Sequence, residues 1–115
     1  MATQDGCIFC KIANHVIESD YVYEDELVVA FRDMSPMAPT HMLVVPKEHY
    51  DNIVDSVPAD TLAAMAHAVD EVARTEGIRE SGFRTIANTG KDAGQTVMHL
   101  HWHVLGGETL PMALA

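Results

Sequence analysis

Basic residues are scarce in this chain of 115 residues, which has 7 Lys and Arg against 17 Asp and Glu and a formal net charge of −10 at pH 7. Binding to a polyanion such as duplex DNA needs clustered cations that displace counterions. The basic side chains here are scattered, at Lys11, Arg32, Lys47, Arg74, Arg79, Arg84 and Lys91. The sequence therefore argues against a nucleic-acid polymer or an anionic membrane as partner.

Long apolar runs and a secretory signal are also missing. No segment approaches the roughly 18 apolar residues of a membrane-spanning helix. Residues 1–6 lack the basic and apolar regions of a signal peptide. We therefore expect a cytoplasmic protein. The only two cysteines, Cys7 and Cys10, form a C-x-x-C pair. Because a structural disulfide is not expected in a reducing compartment, three interpretations are open: a redox pair, half of a metal site, or two small buried residues.

The composition, 48% hydrophobic and 21% charged, is that of a globular protein, and the length suits a single domain over residues 1–115. One amphipathic helix is predicted between Pro58 and Gly77 from an apolar stripe at helical spacing. A short helical turn is predicted at 9–14, and strands at 21–24, 27–32, 41–45, 83–87 and 97–105. This order predicts an α+β fold, a five-stranded antiparallel sheet with one long helix on a face.

Three of the seven histidines, His99, His101 and His103, recur at every second position. In a strand they would share one face, with same-face neighbours roughly 7 Å apart. Such a row could ligate a metal ion. Alternatively, one imidazole could attack phosphorus while the others donate hydrogen bonds, since an imidazole with one nitrogen tied to an acceptor has a free lone pair on the other. A third interpretation is a row of surface histidines on an edge strand.

The loop before the triad favours phosphorus chemistry. Gly94, Gln95 and Thr96 offer a flexible backbone, an amide and a hydroxyl, and Asn88 follows the preceding predicted strand. Neutral donors of this kind can hold one phosphate group. An ordinary turn is the alternative.

Residues 99–105, His-Leu-His-Trp-His-Val-Leu, resemble the signature of the histidine triad (HIT) superfamily. The similarity extends to residues 7–12 (CIFCKI), 30–36 (AFRDMSP), 38–41 (APTH), 45–49 (VPKEH) and 93–97 (AGQTV). Gly106-Gly107 after the triad is similar to the Hint branch of nucleoside phosphoramidases.

The resemblance implies hydrolysis of purine nucleoside phosphoramidates, in which AMP is joined through nitrogen to an amine or to lysine. It also implies a homodimer with one ten-stranded sheet, and no cofactor for catalysis. His101 would be the nucleophile that becomes adenylylated, assisted by His103, while His99 holds it in orientation and His41 relays protons.

The same resemblance implies the substrate contacts. The phosphate-contacting positions are Asn88, Gln95 and Thr96, where Thr96 replaces the serine of many relatives. Asp33 would bind the ribose hydroxyls. The purine pocket would consist of Ile8, Phe9, Ile12, Phe31 and Met34, although by sequence alone these five could equally be core residues. Relatives use the segment after the triad to shape the preference for the leaving amine, and the tail after Gly107 differs from theirs in being short and lacking an aromatic residue.

Some bacterial HIT proteins bind zinc at an early C-x-x-C pair. The resemblance implies a structural zinc site formed by Cys7, Cys10, His49 and His99, with two thiolates and two imidazoles in a closed tetrahedron. Buried free thiols and a redox pair are the alternatives here. Two other functions stay open for the whole chain. One is a nucleotide-binding regulatory module with vestigial hydrolysis, and the other is a zinc hydrolase that uses the triad as ligands.

Overall fold

The fold is organised around a central strand, Thr40–Pro46, in which every residue is buried. A computed structural model describes residues 3–112. It contains α1 (Ile8–Ala13), β1 (Tyr21–Glu24), β2 (Val28–Arg32), β3 (Thr40–Pro46), α2 (Ala59–Thr75), β4 (Phe83–Ile86), a 3₁₀ turn (Lys91–Ala93) and β5 (Trp102–Gly106). The five strands form one antiparallel sheet in the order β1-β2-β3-β5-β4. The predicted α+β class and five-stranded sheet are confirmed.

Successive residues of β3 pack into two different hydrophobic cores, because side chains of a strand alternate between the faces of the sheet. Met42 and Val44 join the larger core under α2. Leu43 and Val45 join a smaller core that is closed by α1. The sheet therefore carries a helix on each face, and the short helix α1 brings the C-x-x-C pair to the second face.

The long helix α2 follows its apolar stripe, with Met65, Val69 and Val72 buried against the sheet. It ends just before Gly77, whose φ of +71° is a conformation that favours glycine. Two nearly parallel hydrogen bonds, Arg32 Nη1 to Glu76 Oε1 at 2.8 Å and Nη2 to Oε2 at 3.0 Å, join β2 to the end of this helix. No helix within residues 3–112 is long and apolar enough to cross a membrane.

The prediction of a strand over residues 97–105 is wrong in its first half. The strand begins at Trp102, so His99 and His101 precede it and only His103 lies within it. Residues 97–99 form a bend, and the Leu100 N–H donates to the Tyr50 carbonyl at 2.6 Å instead of to a sheet partner. Only His103 therefore lies in a regular strand. The ring of His99 contacts the two cysteines, whereas the rings of His101 and His103 lie next to each other.

Asp25 organises the turn between β1 and β2. Its Oδ1 accepts the N–H groups of Leu27 at 2.8 Å and Val28 at 2.9 Å, and its Oδ2 accepts the Tyr23 hydroxyl at 2.9 Å. Burial raises the pKa of this carboxyl, but the backbone donors and Tyr23 outweigh burial and hold it below its usual value. The carboxylate thus replaces the backbone acceptors that the turn lacks.

Replacing Asp25 with alanine should lower the free energy of unfolding by about 1–3 kcal/mol, because buried donors lose their acceptor. Urea unfolding followed by circular dichroism measures the change. The control is Glu26→Ala, an exposed carboxylate in the same turn, which should change the free energy by less than about 0.5 kcal/mol. Equal effects of the two substitutions would show that the charge of the turn, rather than the Asp25 hydrogen bonds, matters.

Candidate active site and metal cluster

His101 is held by a hydrogen bond to the backbone two residues before it. Its Nδ1 lies 2.7 Å from the carbonyl oxygen of His99. Since a carbonyl oxygen only accepts, Nδ1 must carry the proton, and a neutral His101 then has its lone pair on Nε2. The ring of Phe9 meets the His101 ring edge to face, with centroids 5.0 Å apart. Backbone and packing thus fix both the tautomer and the orientation of this imidazole.

His103 is oriented by a second chain of hydrogen bonds. The Met37 N–H donates to His41 Nδ1 at 3.1 Å, which leaves the proton of a neutral His41 on Nε2. His41 Nε2 then donates to His103 Nδ1 at 2.9 Å. His103 consequently has its proton on Nε2. With ring centroids of His101 and His103 5.1 Å apart, a nucleophilic lone pair and an N–H donor lie side by side.

Burial keeps His103 neutral. Desolvation lowers the pKa of His103 to about 4, repulsion from His101 and His41 acts in the same direction, and Asp33 opposes them. Asp33 lies near this pair, with its Oδ2 3.5 Å from His41 Nε2. Its other oxygen accepts the Ser35 N–H at 2.8 Å, which fixes the half-buried carboxylate at the edge of the site.

Gln95 forms the frame of the loop before the triad. Its Oε1 accepts the Gly90 N–H at 2.9 Å, and its Nε2 donates to the carbonyls of Asp51 at 2.7 Å and Val97 at 3.0 Å. Both amide hydrogens are therefore used within the protein. Thr96 is exposed and Asn88 is half-buried. The predicted contacts of these three residues with phosphate stay predictions.

The residues predicted to line a purine pocket fall into two groups. Phe9, Ile12 and Phe31 are buried in the smaller core, where the Phe9 and Phe31 rings meet edge to face at 5.8 Å. Ile8 and Met34 are exposed, at 49% and 95% of their surface. The Phe9 ring also contacts the His101 ring. The pocket itself stays a prediction.

The four residues proposed as zinc ligands lie together, and their ligand atoms are all within 4.8 Å of one another. Cys7 Sγ is 3.3 Å from His99 Nδ1. Cys10 Sγ is 3.4 Å from His99 Nδ1 and 3.2 Å from His49 Nδ1. Zn–S and Zn–N bonds at a tetrahedral angle would place sulfur and nitrogen about 3.6 Å apart. The cluster therefore has nearly the dimensions of a tetrahedral metal site.

The second ring nitrogens of both histidines also fit metal binding. His99 Nε2 donates to the Pro46 carbonyl at 2.8 Å, and His49 Nε2 donates to Asp51 Oδ1 at 2.9 Å. Each hydrogen bond leaves the lone pair on Nδ1, facing the cysteines, as in sites where the outer nitrogen of a metal-bound histidine is held by an oxygen. Burial lowers the pKa of His99 to about 4, so that the ring is neutral.

Asp33, His41 and His103 form a second group with metal-ligand spacing. Here the hydrogen bonds oppose metal binding. His41 Nδ1 accepts the Met37 N–H, so the proton of a neutral His41 lies on Nε2, the nitrogen that faces the group. The nitrogens of His41 and His103 are already used in the hydrogen-bond chain from the Met37 N–H, and this chain needs no rearrangement.

Three partners of the site were missed by the sequence reasoning: the Met37 N–H, the Pro46 carbonyl and the Asp51 side chain. Backbone groups carry no sequence signal. Asp51 had a weak one, since it lies two residues after His49. His15 and His67 lie on the surface, 40% and 57% exposed.

Comparison with known proteins gives consistent matches over most of the chain. A sequence model of the HIT domain family matches residues 14–110. The purine nucleoside phosphoramidase of Escherichia coli (strain K12) is 44% identical over 110 residues, which cover 94% of this chain and 92% of the relative. Protein HitA of Neisseria gonorrhoeae is 45% identical over 104 residues, covering 89% and 96%.

Solved structures agree with these matches. A histidine triad protein from Clostridium difficile superposes with a TM-score of 0.90 at 47% identity and covers 95% of this chain and 96% of its own. A HIT family hydrolase from Clostridium thermocellum superposes with a TM-score of 0.89 at 44% identity, with the same coverage.

The lowered pKa of His103 predicts a loss of stability in acid. The unfolded chain takes up a proton near the ordinary pKa of 6.5, whereas the folded protein does so only near 4. Stability is therefore fully present above pH 6.5 and declines as the pH falls toward 4. The His103→Gln variant, which retains His41, His101 and Asp33, should lose less unfolding free energy between neutral pH and about pH 4.5 than the wild type.

Urea titrations at several pH values measure this difference. His67→Gln removes an exposed histidine and should follow the wild type. If His103→Gln lost as much stability in acid as the wild type, His103 would not be the neutral, buried group described above.

Proposed function

Since the chain belongs to the HIT domain family, we propose that it is a hydrolase of purine nucleoside phosphoramidates that acts through an adenylyl-histidine intermediate on His101. The family resemblance inferred from the motifs is confirmed. The observation that carries the proposal is the 2.7 Å hydrogen bond from His101 Nδ1 to the His99 carbonyl. It directs a free lone pair on Nε2 away from the backbone, as a nucleophilic imidazole requires.

In the first step, His101 Nε2 attacks the phosphorus of an AMP-amine compound. The N–P bond to His101 forms, and the P–N bond to the amine breaks. The Nε2–H of His103 donates to a phosphoryl oxygen and stabilises the charge that develops there. The leaving amine must gain a proton, which the His103 N–H or the Thr96 hydroxyl could supply.

In the second step, water attacks the phosphorus, the bond to His101 Nε2 breaks, a proton of the water returns to the group that protonated the amine, and AMP leaves. His41 acts in both steps as a positioning residue, because its Nε2–H fixes the tautomer of His103. A proton relay through His41, which the resemblance also implies, would use the same hydrogen bond.

For the rest of the substrate, we assign the phosphate to the loop of Asn88, Gln95 and Thr96. Gln95 would act by shaping this loop, because its own amide is already hydrogen-bonded. Asp33 would accept both ribose hydroxyls, and the purine would lie against Ile8, Phe9, Ile12, Phe31 and Met34. Neutral donors suffice for one phosphate, which agrees with the scarcity of Lys and Arg.

We also propose that Cys7, Cys10, His49 and His99 bind a structural zinc ion. With two thiolates and two imidazoles the coordination is complete, so the ion would stiffen the segment before β5 and leave no position for substrate. Thiolate ligands must stay reduced to bind the ion, and we therefore place the protein in the cytoplasm.

A homodimer is the third part of the proposal. β4 forms one edge of the sheet, and its backbone has no second strand partner within residues 3–112. Phe83 on this strand is 37% exposed. Pairing of β4 with a second copy would satisfy the edge and give the ten-stranded sheet that the resemblance implies.

Replacing His101 with alanine should reduce turnover of an AMP-amine phosphoramidate by at least about 10³-fold, because the nucleophile is lost. Release of the free amine measures the rate, and His67→Ala should retain wild-type activity. Rapid acid-free quenching of wild type with excess substrate should trap an adenylyl group on His101, identified by peptide mass spectrometry.

Turnover that survives in His101→Ala would contradict the covalent mechanism. Tight AMP binding by a wild type that turns over no phosphoramidate would instead favour the nucleotide-binding regulatory module.

Native mass spectrometry tests the metal and the dimer together. We expect an assembly of twice the 12.6 kDa chain with one zinc ion per chain, because each copy has its own complete ligand set. A Cys10→Ala variant should lose the metal. A metal-free protein would remove the zinc proposal, and a monomer at assay concentration would remove the dimer.

A further inference from the structure

We propose that the Cys7–Cys10 pair is an oxidant-sensitive site, where a hydroperoxide entering the cavity beside Cys7 oxidises both thiols to a disulfide and so removes the metal from the cluster. This inference rests on the proposed zinc site and adds a modification to it. It does not depend on which amine the enzyme releases.

The two cysteines differ in their access to solvent. Cys10 is 3% exposed, whereas Cys7 is partly exposed. Cys7 also lines an open cavity of about 310 Å³, together with Gln4, Gly6, Ile8 and residues 96–98. One water molecule takes roughly 30 Å³ in the liquid, so the cavity has ample room for hydrogen peroxide. A small oxidant can therefore reach Cys7 directly. Cys10 borders a separate, smaller cavity of about 160 Å³ but has little exposed surface of its own.

The position of Cys10 suits the second half of the reaction. Its Sγ lies within 4.8 Å of the Cys7 Sγ, and the two residues are one helical turn apart. The Cys10 N–H already donates to Cys7 Sγ at 3.3 Å, so that the side chain of Cys7 folds back over α1. Rotation of the side chains can bring the sulfurs to the bond length of about 2.05 Å.

The reaction is a balanced two-electron oxidation. The Cys7 sulfur attacks one peroxide oxygen, the O–O bond breaks, and a sulfenic acid and hydroxide are formed. The Cys10 sulfur then attacks the Cys7 sulfur, the S–O bond breaks, and the S–S bond forms with loss of a second hydroxide. Protons from the two thiols convert both hydroxides to water; where the thiols are ionised, the acid form of the buffer supplies these two protons.

The disulfide affects catalysis through His99. It withdraws two of the four ligands, so His49 and His99 can no longer hold the ion by themselves. The ring of His99 then loses its metal ligation and keeps the hydrogen bond to the Pro46 carbonyl and its packing against Phe9. The His99 carbonyl accepts the hydrogen bond from His101 Nδ1. Greater mobility of His99 therefore makes the orientation of the His101 ring less well fixed. Oxidation should therefore lower both thermal stability and turnover.

The experiment treats the purified, zinc-loaded full-length protein with hydrogen peroxide and follows three signals. The first is the zinc in solution, which a colorimetric chelator detects. The second is the intact mass of the protein, and the third is the peptide that contains Cys7 and Cys10 after digestion. We expect one zinc released per chain in step with the loss of two hydrogens and the appearance of the linked peptide. Dithiothreitol and added zinc should restore the metal and the melting temperature.

A gating variant tests the route of entry. Gly6 lines the cavity, and a Cβ built on it meets no atom within 4 Å. Gly6→Leu should therefore fold and bind zinc normally but narrow the cavity and slow zinc release several-fold. Substitution of another glycine, Gly77→Ala, is not a suitable control, because the φ of +71° at Gly77 would strain any residue with a side chain. Glu26→Leu, remote in sequence and exposed, should release zinc at the wild-type rate.

Retention of zinc while exposed methionines become oxidised would overturn this inference and leave the zinc site standing. A purified protein without zinc would overturn both. Equal rates of release in Gly6→Leu and wild type would show that the cavity is not the route and would contradict the proposal. None of these results bears on His101, whose role the alanine variant tests separately.

Discussion

The hydrogen bond from His101 Nδ1 to the carbonyl oxygen of His99 is the interaction on which the site depends. A neutral histidine ring has two tautomers, with the proton on Nδ1 or on Nε2, and only the first leaves a lone pair on Nε2. A carbonyl acceptor at 2.7 Å selects that tautomer, and the edge of the Phe9 ring restricts rotation of the imidazole. The backbone can take this path because the chain bends before β5, and a regular strand from residue 97 would have pointed the carbonyl toward a sheet neighbour.

The bend is supported from the opposite side of His99. The ring of His99 lies between the Pro46 carbonyl and the two cysteines, so its backbone is anchored to the end of β3 and to α1. Asp51 extends the connection, since its carboxylate holds His49 and its carbonyl holds Gln95. Metal cluster, nucleophile and loop thus form one continuous structure. A metal ion bound by these four residues, as proposed, would have no open coordination position and would act on the chemistry only by holding the backbone of His99 in place.

The periodic parts of the structure could be predicted from the sequence. The apolar stripe of α2 and the β-branched run of β3 indicate their elements directly, because burial imposes a period on the side chains. The histidine row was harder, since a period of two also predicted a strand over His99 and His101. In that segment, the contacts of His99 with the cysteines and the hydrogen bond from Leu100 to the Tyr50 carbonyl replace strand pairing. Contacts made by the backbone, such as the Met37 N–H on His41, could not be predicted because they leave no mark on residue identity. Gln95 was predicted to belong to the site. That its side-chain amide is fully hydrogen-bonded could not be predicted, because its three partners are backbone groups.

Nitrogen-15 chemical shifts of the histidine rings test the central claim most directly, because protonated and unprotonated ring nitrogens resonate far apart. Spectra of the resting protein near neutral pH, assigned with His101→Gln and His103→Gln, report the tautomer of each imidazole. We predict a proton on Nδ1 of His101 with an unprotonated Nε2, and a proton on Nε2 of His103. A proton on Nε2 of His101 in the resting protein would contradict this prediction, since the proposed nucleophilic atom would then have no lone pair to donate.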